Sequence, residues 1–488
     1  MKIMKITFSV FTLCIVSVMI FVIFSCTNHK AETLLYDSKY PAYIENILVK
    51  KCANAGCHND KSFENAAGLN ISTWDKLFEG STAGATVIPY SPHFSTLCYY
   101  TNTDTAKGLA LQPTMPYNAA PLSDAEYNAL SNWILNGAPD KSGFVKFSDY
   151  VNKPKLYICN RGCDVVTIMD PVSGLAMRYV DVGITSDIEG PCMIKVSHDK
   201  LYWYVIFIQG NIIQKYRSAD NVKVGELNIG SGIWSSIVLT NDSKRAFVSN
   251  TDINGTIACI NTETMQLITT YQSGLRYPYR LCINSANNRL YATSKEGNYI
   301  YNIDISNPMV PVIKEVSLET NVPVYIYSSL NPYQILLSKD ESCYFVTCNK
   351  SSELRVMQTS NDSLLGTYST GSNPAEMVLS ASGFYLYLSC LGVPGTNKKS
   401  GINVFDYTNK TFLPEIYAGH DAKGIIIDKT TNKLFVANRN VSAGGPAAHH
   451  APVCDGKNGY ITAIDLQTHL LIPDFKAELS VDPYFIAD

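Results

Sequence analysis

The sequence predicts a multidomain protein in which a small all-α domain is followed by an all-β domain, a propeller of seven blades. Apolar residues recur with a helical period between residues 40 and 142. From about residue 150, short β-rich runs alternate with Asn, Asp, Gly and Ser turns, and one phrase recurs at intervals of 42 to 61 residues. The chain has 488 residues, 46% of them hydrophobic, and can therefore bury more than one core.

The first 25 residues predict a lipoprotein signal peptide. Met1–Lys5 is short and basic, residues 6–25 are almost wholly apolar, and a serine precedes Cys26. A run of this length could span a membrane, but the basic start and the small residue before a cysteine favour cleavage and lipidation of Cys26. The alternative is an uncleaved N-terminal anchor. Residues 26–39 are then a polar tether, and we expect a membrane-anchored protein in the periplasm or on the outer-membrane surface.

The most informative motif of the first domain is CANAGCH, which runs from Cys52 to His58. Two cysteines followed at once by a histidine are typical of covalent haem attachment, in which the thiols bond the porphyrin vinyl groups and the imidazole binds the iron. The usual spacing is C-x-x-C-H, whereas four residues separate the cysteines here. A disulfide, or a zinc site with a neighbouring histidine, therefore stays open, although the spacing fits the common zinc pairings poorly.

The residues around this motif predict helices on both sides of it. Residues 43–51 have the apolar pattern of an amphipathic helix that runs into Cys52. Ser123 and Glu126 form a capping box, which predicts the start of a last helix. That helix carries four apolar side chains on one side, and a glycine is placed to end it: Tyr127, Leu130, Trp133 and Ile134, then Gly137.

Taken in order, four features make residues 40–142 resemble the small c-type cytochrome domains of bacterial lipoproteins and planctomycete-type cytochromes. They are the Cys-His motif, a G-L-x-x-S-x-W stretch from Gly68 to Trp74, a Met-Pro pair at Met115, and a closing L-S-D-x-E…W-I-x-x-G-A that begins at Leu122. The resemblance covers about a hundred residues. It implies an all-α, cytochrome c-like haem domain.

This resemblance also implies one haem c, attached through thioethers at Cys52 and Cys57. It implies that His58 and Met115 are the axial ligands of the iron, and a methionine in place of a second imidazole raises the reduction potential. Two alternatives stay open. His93 is another candidate for the second ligand, although loop histidines are usually exposed, and Met115 could simply fill the core.

Residues 150–488 repeat one sequence pattern, in which a proline, or another residue at the equivalent position, opens an apolar strand. The seven openings are Pro191, Trp234, Pro278, Pro332, Pro374, Ala422 and Pro483. Repeats of this size, with about four strands each, predict a β-propeller. The second strands, such as RAFVSN at 245–250 and KLFVAN at 433–438, resemble the YVTN family of propellers.

The two ends of the repeat region predict how the ring closes. The β-rich region begins at Lys155 with a second strand that lacks a first one, whereas residues 482–488 form a first strand with nothing after it. We therefore expect the C-terminal strand to complete the blade begun by residues 155–183, which removes the open edges of a broken ring.

One insertion in the last blade, from Asn438 to Tyr460, contains His449, His450 and Cys454. These residues predict a copper or zinc site, although adjacent histidines seldom point at one ion and further ligands are not visible. The loop could instead close over a substrate or the haem edge, or be solvated. An oxidising compartment permits disulfides, but the sequence cannot pair the remaining cysteines.

The formal net charge of -3 gives no basic stripe and argues against nucleic-acid binding. No acid/base pair, nucleophile or phosphate loop stands out, so no catalytic residue is predicted. We expect a haem-c lipoprotein that exchanges electrons with a redox partner protein, with the propeller as a docking or substrate platform. Two alternatives remain, a propeller-based oxidoreductase whose electrons leave through the haem, and a surface-binding lipoprotein with a minor or sensing haem.

Overall fold

The computed structural model describes residues 37–148, 153–392, 400–447 and 454–488. In these residues four α-helices precede the strands, and three 3₁₀-helices lie between the α-helices. The α-helices are α1 (Ala42–Cys52), α2 (Trp74–Leu77), α3 (Thr96–Thr101) and α4 (Asp124–Leu135), and the 3₁₀-helices are Phe63–Asn65, Pro92–Phe94 and Thr105–Lys107. None of the described helices is long and apolar enough to cross a membrane. The predicted signal peptide and Cys26 lie outside the described residues.

The strands form seven antiparallel sheets, the blades of a propeller. Blade 1 contains β1 (Leu156–Asn160), β2 (Val165–Met169) and β3 (Ala176–Asp181), and blade 2 contains β4 (Pro191–Val196), β5 (Tyr202–Phe207), β6 (Ile212–Arg217) and β7 (Lys223–Asn228). Blade 3 contains β8 (Trp234–Leu239), β9 (Arg245–Asn250), β10 (Thr256–Asn261) and β11 (Gln266–Tyr271), and blade 4 contains β12 (Pro278–Ile283), β13 (Arg289–Ser294), β14 (Tyr299–Asp304) and β15 (Val312–Ser317).

The remaining blades follow in chain order. Blade 5 contains β16 (Pro332–Leu337), β17 (Cys343–Cys348), β18 (Glu353–Gln358) and β19 (Leu364–Ser369). Blade 6 contains β20 (Pro374–Leu379), β21 (Tyr385–Cys390), β22 (Ser400–Asp406), β23 (Thr411–Phe412) and β24 (Ile416–Gly419). Blade 7 contains β25 (Ala422–Asp428), β26 (Lys433–Asn438), β27 (Asn458–Asp465) and β28 (Leu470–Val481), and the last strand is β29 (Pro483–Ala487).

The seven openings found in the sequence are the first residues of the seven innermost strands, β4, β8, β12, β16, β20, β25 and β29. Proline suits this place because the first residue of a strand can lack an N–H. In six of the seven blades the preceding residue has a positive φ, as at Asn331 and Asn373. The repeated phrase therefore marks the turn by which the chain enters the centre of each blade.

The ring closes as the sequence predicts, with strands from both ends of the repeat region in one blade. Strand β29 is the innermost strand of blade 1, where Ile486 pairs with Ile158 of β1. Each innermost strand also contacts the next one around the ring, and β29 contacts both β25 and β4. No break is left between blade 7 and blade 2.

The predicted fold class is wrong in its first part, because residues 40–142 do not form a sizeable all-α, cytochrome c-like domain. In the described residues this stretch holds α-helices of 11, 4, 6 and 12 residues, separated by turns and 3₁₀-helices. Residues 40–488 instead form one compact unit. Helical periodicity is a local signal, and it correctly located α1 and α4, but it does not reveal whether helices make a domain of their own.

We call residues 40–148 the helical segment. It packs on blade 1, where Phe94 stacks on Tyr179 with the ring centroids 4.3 Å apart. Beside this stack, Arg178 of blade 1 donates from Nη2 to the Lys146 carbonyl at 2.9 Å. The segment also has an apolar cluster of its own, with Leu48 of α1 and Leu130 of α4 fully buried. The fold is thus a seven-bladed propeller that carries a short helical extension.

Candidate functional site

The motif predicted to hold haem lies at the end of α1 and in the loop after it. Cys52 is the last residue of α1 and is buried, whereas Cys57 is exposed. Both thiols are free, so the structure does not contain the alternative disulfide between them. Burial, with a contribution from Cys57, raises the pKa of Cys52 to about 12. Cys57 is therefore the more accessible of the two thiols in the folded chain.

Three hydrogen bonds fix His58 in place. Its backbone N–H donates to the Cys52 carbonyl at 3.2 Å, and its own carbonyl accepts from the N–H of Ile71 at 3.0 Å. On the side chain, Nδ1 lies 3.2 Å from the Leu69 carbonyl oxygen. A carbonyl can only accept, so Nδ1 carries the hydrogen and the lone pair lies on Nε2. Metal-binding histidines have this arrangement, because the hydrogen bond sets the tautomer and orients the ring.

Burial lowers the pKa of the half-buried His58 below its ordinary value, although the carbonyls of Leu69 and Ala66 oppose this shift. The imidazole is therefore neutral near pH 7, which is the form that binds a metal.

A polar network around Asp60 supports this loop. The Asp60 carboxylate accepts from Asn70 Nδ2 at 2.8 Å and from Ser72 Oγ at 3.0 Å, and it pairs with Lys76. The hydrogen bond from Lys76 is the largest influence that lowers the pKa of Asp60, to about 2. The loop after Cys57 is thus bound through Asp60 to the chain that supplies the Leu69 carbonyl.

The last helix secures the other side of the motif. The capping box is present, because Ser123 Oγ accepts from the Glu126 N–H and the Glu126 carboxylate accepts from the Ser123 N–H. The same carboxylate pairs with Lys51, one residue before Cys52, at 2.5 Å. Trp133 is buried and donates to the Pro139 carbonyl at 2.8 Å. The capping box therefore connects α4 directly to the end of α1.

The two candidates for the second iron ligand lie in different surroundings. Met115 is half-buried, and its N–H donates to the Tyr100 carbonyl at 2.7 Å. His93 is exposed in a 3₁₀-helix, with its ring beside that of Phe94. This matches the expectation of a surface histidine. Ligation by Met115 stays a prediction.

In the loop of the last blade that was predicted to bind a metal, the cysteine forms a disulfide instead. Cys454 forms a disulfide with Cys163, which follows β1, and the Cα atoms lie 5.5 Å apart. In this state its sulfur is not a thiolate ligand, so the structure ties Cys454 to blade 1. His449 and His450 lie outside the described residues. In the part of the chain that is described, no group of three or more His, Cys, Asp or Glu side chains could hold a metal ion.

A second candidate site, which the sequence analysis missed, lies on the propeller axis. Arg280 of blade 4 donates to the Ser235 carbonyl of blade 3, contacts Met193 Sδ of blade 2 at 3.6 Å and pairs with Glu376 of blade 6. One side chain can meet three other blades only near the axis that the inner strands surround. The charged and tyrosine side chains gathered there are called the central cluster: Arg161, Tyr279, Arg280, Tyr333, Glu376, Lys423, Arg439, Asp482 and Tyr484.

The core of the central cluster is a buried ion network. Lys423 Nζ lies 3.1 Å from Glu376 Oε1 and donates to the Tyr333 hydroxyl at 2.7 Å. That hydroxyl also accepts from the Tyr279 hydroxyl at 2.9 Å. Burial raises the pKa of Glu376, but Arg280 and Lys423 outweigh burial and hold the pKa below its ordinary value. The network is therefore charged although its ions are 2% exposed.

The outer part of the central cluster lies where the ring closes. Asp482 pairs with Arg161 of blade 1 at 2.8 Å and with Arg439 of blade 7 at 2.6 Å. The Tyr484 ring lies 4.1 Å from the Arg161 guanidinium carbon and 4.0 Å from Lys423 Nζ. Burial raises the pKa of Tyr484, but these cations, together with Arg280, outweigh burial and lower it below its ordinary value.

The sequence contained a signal for this cluster. The residue after an opening of the repeat faces the axis, as Tyr279 follows Pro278, Tyr333 follows Pro332 and Lys423 follows Ala422. The openings alone give the number of blades, whereas the residues that follow them mark the axis. A charged or phenolic side chain at an inner-strand position is unusual enough to mark a site.

Comparisons with known proteins show the propeller fold. No family model matches the chain, and no curated protein matches it. Its structure is similar to the periplasmic gluconolactonase of Pseudomonas aeruginosa, with a TM-score of 0.53 and 14% identity over 68% of this chain and 98% of that one. A second similar structure is a putative 6-phosphogluconolactonase from Bacteroides uniformis, with a TM-score of 0.51 and 14% identity over 69% and 99% of the two chains.

A third similar structure is the hydrazine synthase of Kuenenia stuttgartiensis, with a TM-score of 0.50 and 13% identity over 62% of this chain and 91% of that one. Identities this low show a shared fold and leave the activity to be argued separately. The fold is thus one on which gluconolactonase-type proteins are built, and any activity must be argued from the sites of this chain.

Proposed function

We propose that the chain is an extracytoplasmic haem-c lipoprotein that transfers electrons, with the propeller as its docking or substrate platform. The observation that carries this proposal is the placement of His58. Directly after Cys57, the imidazole has its Nδ1 hydrogen bonded to the Leu69 carbonyl, so that Nε2 carries the lone pair.

Two features of the described residues support the proposal of a covalently attached haem, the free thiols of Cys52 and Cys57 and the exposure of Cys57. Cys52 and Cys57 would form the thioethers, since both thiols are free, and His58 would bind the iron. Met115 is the proposed second ligand. When bound, haem supplies a one-electron couple whose potential depends on the axial ligands and on solvent access. The chain's own contribution is to hold the imidazole neutral and oriented, through Leu69 and the loop network of Asp60.

The proposed location rests on the leader and on the disulfide. The leader predicts cleavage before Cys26 and a lipid anchor there. The bond between Cys163 and Cys454 supports an oxidising compartment such as the periplasm or the outer-membrane surface. An electron carrier at this location needs a redox partner protein, and the propeller offers a rigid surface for it.

A second function is favoured by the central cluster. Burying ionised side chains costs desolvation free energy, and pKa values shifted by specific neighbours are typical of functional sites. The gluconolactonase-type neighbours show that this fold can carry an enzyme. We therefore keep as the alternative a propeller-based oxidoreductase whose substrate binds at the axis and whose electrons leave through the haem.

A redox titration followed by visible absorption tests the proposal. The chain is expressed with a cytochrome c maturation system, and the wild type is compared with His58→Ala. The matched control is His198→Ala, which removes an exposed histidine between β4 and β5 of the propeller. We expect one reversible one-electron haem transition in the wild type and the control, and its loss or displacement in His58→Ala. A wild type without a haem transition would contradict the proposal.

A further inference from the structure

One mouth of the propeller axis carries cations at equivalent positions of the repeat. The last residue of a second strand pairs with the first residue of the innermost strand, as Asn160 does with Pro483, Ser294 with Pro278 and Asn438 with Ala422. The residues that follow in the chain are Arg161, Lys295 and Arg439. The register therefore places three cationic side chains at the same end of the axis, where the innermost strands begin.

The charges of the central cluster do not balance. It contains the cations Arg161, Arg280, Lys423 and Arg439 but only two carboxylates, Glu376 and Asp482. Lys295, whose Nζ lies 4.9 Å from the Tyr279 ring centroid, adds to this excess at the mouth. Buried charges are costly unless they are paired. Ionisation of Tyr484, whose pKa these cations lower, offsets one of these charges at most, so the cluster favours a further negative charge.

Hydrogen-bond donors of two arginines in the cluster are still available. Arg280 Nε is buried and has no hydrogen-bond partner among the described residues. Arg161 donates to Asp482 through Nε, and no other hydrogen bond of its guanidinium is found in the described part of the chain. A guanidinium has five N–H donors, which suit the oxygens of a carboxylate or phosphate.

The mouth is also accessible, unlike the core beneath it. The side chains of Arg161 and Arg439 are 27% and 18% exposed, whereas those of Arg280 and Lys423 are 2% exposed. Beneath the arginines lies the Tyr484 ring, whose phenol already sits among cations. A small molecule would meet the arginines first and would have the aromatic ring beneath it.

We propose that this mouth binds a small molecule that carries a carboxylate or a phosphate. Arg161 and Arg439 hold it from the adjacent blades 1 and 7, and Lys295 of blade 4 faces it from the other side of the axis. Asp482 already occupies one edge of both arginines and orients them, and the ligand takes the donors that Asp482 leaves. This site belongs to the propeller and does not depend on the haem.

Calorimetric titration of the full chain tests the proposal, with citrate and inorganic phosphate as separate probes at matched ionic strength. The variants are Arg161→Gln and Lys295→Gln. Lys295 contacts a tyrosine ring rather than Asp482, so its variant leaves the Asp482 ion pairs intact. The matched control is Arg289→Gln, whose partner is Asp304 in β14, away from the axis.

We expect saturable binding of at least one probe, weakened about tenfold or more in Arg161→Gln, because hydrogen bonds to charged groups are the stronger ones. Lys295→Gln should weaken binding less, and Arg289→Gln should not change it. Binding of citrate alone or of phosphate alone supports the site and defines its ligand class. The proposal is overturned if neither probe binds the wild type, or if both axis variants bind as the wild type does.

Discussion

Replacing Ile486 by alanine tests whether the C-terminal strand holds the ring closed. Ile486 lies in β29, is 1% exposed and pairs with Ile158 of β1. Its side chain packs in an apolar cluster shared by blades 1 and 7, which includes Phe435 and Ile461. Truncating a buried isoleucine loses the transfer free energy of the removed atoms and leaves a cavity. The expected cost is about 2–5 kcal/mol.

That cost is a large share of the total stability expected for a protein, about 5–15 kcal/mol. It is measured by guanidinium unfolding, followed by tryptophan fluorescence. The four tryptophans all lie outside blade 1, and Trp203 and Trp234 are in blades 2 and 3. A single transition at a lower midpoint with an unchanged slope would therefore report a loss that extends beyond blade 1.

The matched control is Ile253→Ala, because Ile253 is 42% exposed between β9 and β10. A surface truncation of this kind should change the free energy of unfolding by less than about 0.5 kcal/mol. Deletion of residues 482–488 should destabilise the protein more than Ile486→Ala, since it also removes the Asp482 ion pairs. If Ile486→Ala costs no more free energy of unfolding than the control, the packing of β29 does not hold the ring closed.

Loss of the capping box, of a buried carboxylate and of the disulfide should each have a distinct signature. Ser123→Ala removes the cap of α4 and should cost about 1 kcal/mol in urea unfolding; an unchanged midpoint would show that the cap is dispensable. Burial raises the pKa of Asp482, but its arginine partners lower it overall. The ionised carboxylate of Asp482 therefore stabilises the folded chain at pH values above its pKa in the unfolded chain, about 3.9. This stabilisation is lost as the pH falls through the lower pKa that Asp482 has in the folded chain. The melting temperature should fall more steeply between about pH 6 and about pH 3 in the wild type than in Asp482→Asn, and parallel curves would contradict this. The double variant Cys163→Ser/Cys454→Ser should lose about 2–5 kcal/mol. Equal stability of the oxidised wild type and this variant would remove the disulfide from the account.

The propeller could be predicted because its signals are local and repeated. The openings from Pro191 to Pro483 mark seven innermost strands, and each was found at its residue. The capping box at Ser123 was equally visible, since a cap depends on residues three positions apart. Ring closure followed from the order of strands at the two ends of the repeat.

The remaining features depend on contacts between distant residues. Cys163 and Cys454 are 291 residues apart, and nothing in the local sequence pairs them. Arg280 and Glu376 lie two blades apart, and only the closed ring brings them together. Helical periodicity likewise located α1 and α4 but not the packing of the helical segment on blade 1, which depends on Phe94 and a neighbour in another element.

Retention of haem on a denaturing gel tests whether residues 52–58 attach a haem covalently. The chain is produced with a cytochrome c maturation system, denatured and stained for haem beside the double variant Cys52→Ala/Cys57→Ala. We expect the wild-type chain to keep its haem after denaturation, because the attachment is covalent, and the double variant, which lacks both thioether positions, to lose it. A wild-type chain without haem would contradict the proposed haem site, and residues 52–58 would then have to be explained without a prosthetic group.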